Sequence, residues 1–274
     1  MDEVNPLIGL VAGEGEFPII LAENLKKKHF QIIGICFSKS QREKLKNYSE
    51  EVHQIYIGQL EKLMKIFKER KVKNLVFLGK IDKSYALKIG IPDFKALSIW
   101  RKVKNKEDDT LLRALIEELE REGFSVRAPS EFLQEFLTPE GILTKREPNR
   151  EEWEDIKYGF KMAKALGKLD IGQCVVVKDR MTVAVEAMEG TDATILRAGS
   201  LRKHTVVVKV VKPLQDMRLD LPVVGEKTIE TIIKAKAKIL ALEAHKTFFL
   251  QKEKALKLAN QYGISIVGYK DEEN

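Results

Sequence analysis

Cysteine and histidine are scarce in this chain. Its two cysteines, Cys36 and Cys174, lie far apart, each inside an apolar run (IIGICF and GQCVVV). That pattern reads as buried free thiols in a reducing compartment, not as a disulfide framework. The four histidines, His29, His53, His204 and His245, show no ligand spacing, which argues against a zinc site. No apolar run approaches the roughly 18–20 residues needed to span a bilayer. No basic stretch precedes the short apolar run in MDEVNPLIGLVAG, as a secretory signal would require. There is no repeat of 20–50 residues and no low-complexity tract. The sequence also has no G-x-S-x-G elbow, P-loop or C-x-x-C.

What is present is the material of a globular α/β protein. Hydrophobic residues make up 44% of 274 and charged residues 32%, enough apolar matter for real cores. The net charge is +7, of which +4 falls up to residue 133 (24 basic, 20 acidic) and +3 beyond it (24 basic, 21 acidic). An even spread points to a solvated surface with a mild attraction for anions, either an anionic membrane face or an anionic substrate. No aromatic-and-basic motif of the RNA-binding kind is visible, so nucleic acid is not expected as a partner.

The first 130 residues alternate. PLIGLVA, FQIIGICFS, QIYIG, NLVFLGK and FSVRAP read as strands. Pro18 to Lys28, the stretch marked by Leu60, Leu63, Met64 and Phe67, and DDTLLRALIEELEREG read as helices, the last with Gly123 as its C-cap. This predicts a Rossmann-like parallel sheet with right-handed crossovers over residues 1–133. Residues 134–274 read as a second α/β domain with a mixed sheet. A helix begins at Asn149 with Glu152 at capping-box spacing. A hairpin turns at Lys178–Met181, and strands follow over HTVVVKVV and ISIVGY. The boundary falls near Pro129 to Pro139.

Three polar segments interrupt this pattern. Gly13-Glu14-Gly15 sits where the first strand hands over to a helix. Glycine there allows positive φ and close approach of a ligand, and the amides of the helix start face an anion. A dinucleotide fingerprint would need a third glycine where Pro18 stands, and an acid after CFSKS, so NAD or FAD binding is not supported. A purely structural turn explains the glycines equally well. KPLQDMRLDLPVVG crowds Lys212, Gln215, Asp216, Arg218 and Asp220 into nine residues between an apolar strand and a helix, in a loop stiffened by Pro213 and Pro222 and ended by Gly225. Asp216 and Asp220 could ligate a divalent cation, and Lys212 and Arg218 could hold phosphate oxygens. A surface loop with internal ion pairs is the plainer alternative. In VAVEAMEGTDATILRAG, Glu186 and Asp192 could bring carboxylates to one site, or Thr191 or Asp192 could simply cap the helix that carries Arg197. Asp170 and Gln173 precede the next strand, where a loop role suffices.

Taken in order, GLVAGEGEFP, FLGKIDK, EDDTLLRALIEELEREGF, LTPEGILTKREPN, LDIGQCVVVKD, VAVEAMEGTDATILRAG and KPLQDMRLDLPVVGEKTI resemble the UDP-2,3-diacylglucosamine pyrophosphatases of lipid A synthesis, in their two-domain form unrelated to calcineurin-like phosphoesterases. The match runs along nearly the whole chain. Phe17 departs conservatively from the Leu more usual in the family's AGxGxLP turn. The resemblance implies water attack on the α-phosphorus of UDP-2,3-diacylglucosamine, giving UMP and 2,3-diacylglucosamine 1-phosphate. It also implies a divalent cation (Mg²⁺, or Mn²⁺) and a lipid cleft between the domains. On the matching positions it implies Asp220 and Asp216 as catalytic and metal-binding carboxylates, with Glu186 and Asp192 as further metal ligands. Gly13, Gly15, Lys80, Gln173, Thr191, Arg197, Lys212, Gln215 and Arg218 would bind substrate. A cytoplasmic protein touching the inner membrane's cytoplasmic face reversibly is expected, with the oligomeric state open and a homodimer among the options. A non-catalytic nucleotide- or lipid-binding module is the alternative.

Overall fold

In the computed structural model the described residues are 5–80, 92–102, 108–213, 215–219 and 221–271. Asp220 lies outside them, as do the side chains of the acidic helix start at 108–110.

The first unit comprises Met1–Gln134 together with Asp216–Asp220. Its strands are β1 (Leu7–Ala12), β2 (Gln31–Cys36), β3 (Glu51–Gln54), β4 (Asn74–Leu78) and β5 (Ser125–Arg127). They form one parallel sheet in the order β3-β2-β1-β4-β5. The strand order reverses between β1 and β4, which is where α/β sheets open a crevice at their carboxyl edge. Helices α1 (Phe17–Lys27), α2 (Lys39–Leu45), α3 (Leu60–Glu69), α4 (Phe94–Lys102) and α5 (Asp108–Arg121) accompany it. The predicted stripe Leu60, Leu63, Met64 and Phe67 is buried and packs with Val11, Ile33, Ile35, Leu75, Phe77, Ile116 and Leu119. The third strand lies earlier than the expected QIYIG. Its ladder partner β2 ends at Cys36, which pairs with Gln54. The Tyr56 amide then donates to Oε1 of Gln59 (3.1 Å), turning the chain into α3.

The second unit comprises Glu135–Gln215 and Leu221–Asn274. Its elements are β6 (Gly141–Ile142), α6 (Arg150–Lys168), β7 (Cys174–Lys178), β8 (Met181–Val185), α7 (Thr191–Leu201), β9 (Val206–Lys209), β10 (Val223–Val224), α8 (Glu226–Lys234), β11 (Ile239–Glu243), β12 (Phe248–Phe249), α9 (Lys252–Gln261) and β13 (Ser265–Tyr269). A mixed six-stranded sheet runs β6-β13-β11-β9-β7-β8, and β10 pairs with β12 in a small parallel ribbon. Helix α6 begins with the predicted capping box, Asn149 and Glu152 each bonding the other's amide. Both sheet faces are covered. Ile156, Phe160 and Ala163 of α6 pack on Val175, Val177, Val206, Val208, Ile239, Ala241 and Val267. Residues Ile195, Ala198, Ile229, Ile232, Ala255 and Ala259 from α7, α8 and α9 pack on Cys174, Val176, Val207, Leu240, Leu242 and Ile266. Successive residues of a strand point to opposite faces, so double coverage makes these strands nearly continuous apolar runs.

The β7–β8 hairpin turns on Asp179 and Arg180, both at positive φ (54° and 55°), as a two-residue hairpin loop of matching twist requires. The buried carboxylate of Asp155, on α6, accepts both their amides, at 3.1 and 2.6 Å. Cys36 and Cys174 are free and buried. Among the described residues no helix is long and apolar enough to cross a membrane.

Candidate functional site

In the first unit the polar groups gather at the switch between β1 and β4. The Gly13 amide donates to the Leu78 carbonyl (2.8 Å), the Glu14 amide to Lys80 O (2.8 Å), and the Lys80 amide back to Glu14 O (3.1 Å). The loops after the two strands are thus laced together. A Cβ on Gly13 would stand 2.6 Å from both the Gly79 carbonyl carbon and the Lys80 oxygen, so only glycine permits this approach. Gly13 therefore spends its donor on the protein. Gly15 differs: its φ is +109°, a Cβ there would meet nothing within 4 Å, and its carbonyl accepts Nε2 of Gln41 (3.1 Å). Among the described residues the amides of Gly15 and Glu16 have no acceptor. They stand at the start of α1, whose N-cap Glu16 makes no side-chain cap bond. Of the two glycines, it is Gly15 that leaves a backbone donor open to an anion.

Asp216 and Arg218 belong to this unit too. The Asp216 carboxylate accepts the Arg218 amide (3.0 Å), Nε (2.9 Å) and Nη2 (2.7 Å), and Arg218 Nη1 also meets Glu120 on α5 (2.6 Å). These bonds hold the Asp216 carboxyl below the usual carboxylate range and raise Arg218. Leu219 packs against the core beside them.

In the second unit, β9, β11 and β13 run parallel, and β7 runs antiparallel to both β9 and β8. The ends of β8, β9, β11 and β13 therefore share one sheet edge with the start of β7. Four buried polar side chains stand at or beside that edge: Glu186, Lys209, Gln215 and Glu243. The Glu186 carboxylate accepts Thr191 Oγ1 (2.8 Å) and the Gln173 amide (3.3 Å). Thr191 is therefore engaged away from its helix, whose N-cap is Gly190, at φ +81°, with no side-chain cap. The alternative of Thr191 or Asp192 as a capping side chain does not hold. Asp192 lies in the first turn of α7, 3.7 Å from Lys227 Nζ. Arg197 donates to Glu189 (2.7 Å) and to the Val185 carbonyl (2.9 Å). Lys212 Nζ bonds Asp170 (2.5 Å), and its amide donates to Oε1 of Gln215 (3.1 Å). Among the described residues Oε1 of Gln173 is buried without a partner.

Burial pushes the Cys174 thiol up, with the Glu186 charge adding to the shift and Lys209 opposing it. This thiol is therefore inert packing material. Two buried charged side chains escaped the sequence reading. Glu243 accepts the Val211 amide (2.9 Å) and meets Lys164 (2.6 Å) and Lys246 (3.0 Å). Lys209 carries a buried ammonium. The signal for both was a lone charge at the end of an apolar strand, VVVK and ILALE. Among the described residues no group of three or more His, Cys, Asp or Glu side chains is placed to hold a metal ion.

Residues 7–136 match the LpxI N-terminal domain family and residues 139–267 the LpxI C-terminal domain family. The chain is 30% identical over 284 residues to the UDP-2,3-diacylglucosamine pyrophosphatase LpxI of Caulobacter vibrioides, covering 97% of this chain and 98% of that protein. A partial likeness, 30% over 131 residues, links 46% of this chain to 22% of the bifunctional purine biosynthesis protein PurH of Bacillus subtilis. Among solved structures, an ADP complex of the N5-carboxyaminoimidazole ribonucleotide synthetase purK overlaps 72% of this chain and 45% of its own, at 10% identity and a TM-score of 0.29, too loose a match to carry an argument.

Proposed function

The chain belongs to the LpxI family, the UDP-2,3-diacylglucosamine pyrophosphatases of lipid A biosynthesis, and from that premise we propose that it hydrolyses the anhydride of UDP-2,3-diacylglucosamine to UMP and 2,3-diacylglucosamine 1-phosphate. The observation that carries the proposal is coverage: both family domains match in order, and the relative aligns over nearly its whole length.

The arrangement of each unit supports it. A pyrophosphate substrate needs donors already aimed at its oxygens. The free amides of Gly15 and Glu16 supply such donors at a helix start, at the sheet edge where α/β proteins take ligands. The glycine at 15 keeps the space before them open. On the second unit, Gln173, Glu186 and Thr191 form a bonded set suited to hydroxyl and amide groups of a sugar.

The Mg²⁺ (or Mn²⁺) requirement stays part of the proposal through family resemblance. The described carboxylates do not assemble into a metal site, and Asp216 is taken up by Arg218. A bound divalent cation would neutralise charge developing on the anhydride. Asp220 is the proposed essential carboxylate. A weak, salt-sensitive attachment to an anionic membrane face follows from the dispersed +7 charge, at about 1 kcal/mol per basic residue near the surface.

The test is release of UMP from UDP-2,3-diacylglucosamine with and without EDTA, for the wild type and Asp220→Ala. Loss of most turnover in both perturbed arms is expected. Activity indifferent to EDTA removes the metal, and a near-normal Asp220→Ala removes that residue. Hydrolysis in ¹⁸O-water reads the point of attack: label in UMP marks the α-phosphorus, as the resemblance implies, and label in the sugar phosphate marks the β.

A further inference from the structure

Lys209 is the last residue of β9, in register with Cys174 on β7 and Leu242 on β11. Those two neighbours belong to the apolar core beneath α7, α8 and α9, so the ammonium emerges at the margin of that core. The residue is 7% exposed. An ammonium has three hydrogens to donate and no acceptor. Among the described residues this one has a single partner, the Val223 carbonyl at 3.3 Å, beyond the usual range for such a bond. Among the described residues no carboxylate lies within the 4.0 Å of an ion pair. Taking a cation out of water without pairing it is costly, so a buried ammonium this poorly satisfied is a poor structural element.

Its surroundings are equally unfinished. Gln173, one residue before Cys174 and in line with Val210 on the other face of the sheet, has among the described residues a buried Oε1 with no partner. Glu186 is buried and holds Thr191 and the Gln173 amide with its two oxygens. Cys174 pairs with Lys209 of β9 on one side, and on the other its carbonyl accepts the Glu186 amide (2.9 Å) at the end of β8, so the two residues flank that strand end. The strand end thus offers two spare cationic donors and one spare amide acceptor, next to a carboxylate with lone pairs left.

We infer that the carboxyl edge of the second sheet is a sugar-phosphate subsite, in which Lys209 takes a phosphate oxygen while Gln173 and Glu186 take N–H or O–H groups of the attached amino sugar. The inference rests on the hydrolase reading and deepens it by assigning the sugar-phosphate half of the substrate to this edge. A nucleotide phosphate shares the anion but not the neighbouring sugar donors. The mixture of a cation with an acceptor and a carboxylate therefore favours the acylated sugar phosphate over UMP.

The test uses the full chain and two probes, N-acetylglucosamine 1-phosphate and UMP, titrated into wild type and Lys209→Met. Met keeps the volume of the stem and removes the charge. Losing charge-assisted bonds should weaken the sugar-phosphate Kd by about 10- to 100-fold. The UMP affinity should stay within twofold, and Tm should hold or rise, because the lost group was an unpaired buried charge. A structural lysine predicts the reverse, a lower Tm with sugar-phosphate affinity unchanged, and that result overturns the inference. So does a loss confined to UMP, or a wild type that does not bind the sugar phosphate at all. If the Met variant does not fold, Lys209→Gln, which keeps a donor for Val223, answers the same question. Sugar-phosphate binding that depends on Lys209 in a protein releasing no UMP would leave the subsite standing and remove the hydrolase. Normal UMP release with unchanged Lys209→Met binding would do the opposite.

Discussion

Replacing Gly13 by alanine adds one carbon at the point where the loops after β1 and β4 meet. That carbon would lie 2.6 Å from two backbone atoms, the Gly79 carbonyl carbon and the Lys80 oxygen. Backbone cannot rotate away as a side chain can. The loops must part by about 0.8 Å to restore ordinary contact near 3.4 Å, which stretches the bonds from Gly13 to Leu78 and between Glu14 and Lys80. Overpacking of this kind costs about 1–3 kcal/mol, and each weakened bond adds up to about 1 kcal/mol, so a loss of about 2–4 kcal/mol is expected. Gly15→Ala is the control. Its Cβ meets nothing, and only the positive φ is penalised, at roughly 1–2 kcal/mol. The chain's two tryptophans fall in different units, Trp100 in the first and Trp153 in the second, so a Trp153→Phe background makes urea unfolding report the first unit alone. The same comparison in activity separates the roles. Gly15→Val should raise KM by filling the space before the free amides. A Gly13→Ala protein whose Trp100 transition lies within 0.5 kcal/mol of wild type would refute the close-approach argument.

Two further outcomes follow from the same geometry. Asp155→Ala leaves the amides of Asp179 and Arg180 without their acceptor and should cost about 2–4 kcal/mol, read from the Trp153 transition in a Trp100→Phe background, with Asp155→Asn recovering part of it. Hydrogen bonds from Lys68 and Lys95 hold the Glu122 carboxyl down to about 2, from an ordinary value of 4.5. A depressed carboxylate stabilises the fold above its unfolded value, so this contribution should be whole above pH 4.5 and fade as pH falls towards 2. Glu122→Gln should flatten the acid limb of a Trp100-monitored pH titration in that window, and an unchanged limb would count against the assignment.

The layered α/β architecture was legible because its strands are doubly covered and its helices are amphipathic. The stripe from Leu60 to Phe67 and the Asn149–Glu152 box were readable from spacing alone. The two-residue strands β6, β10 and β12 were not, since a pair of residues carries no period. The third strand was placed late because Ile55 and Tyr56 are as strand-like as Val52, and only the end of β2 stops the ladder. At the site, sequence brought out the polar crowd at 212–220 but not its partners. That Asp216 is taken up by Arg218, or that Thr191 turns to Glu186 and leaves its helix to Gly190, depends on side-chain directions that spacing does not encode. The resemblance reached the family because long motifs such as KPLQDMRLDLP are specific where a glycine turn is not. Lys209 was hidden by its setting, a charge read as the tail of an apolar strand.

Incubating the purified protein with UDP-2,3-diacylglucosamine and identifying the products by mass spectrometry puts the hydrolase assignment to the test. UMP and 2,3-diacylglucosamine 1-phosphate are expected in equal amounts, formed catalytically. Substrate that binds but is recovered intact would contradict it and leave the chain a carrier of nucleotide or lipid. Release of UDP in place of UMP would contradict it too, because the bond broken would then be glycosidic.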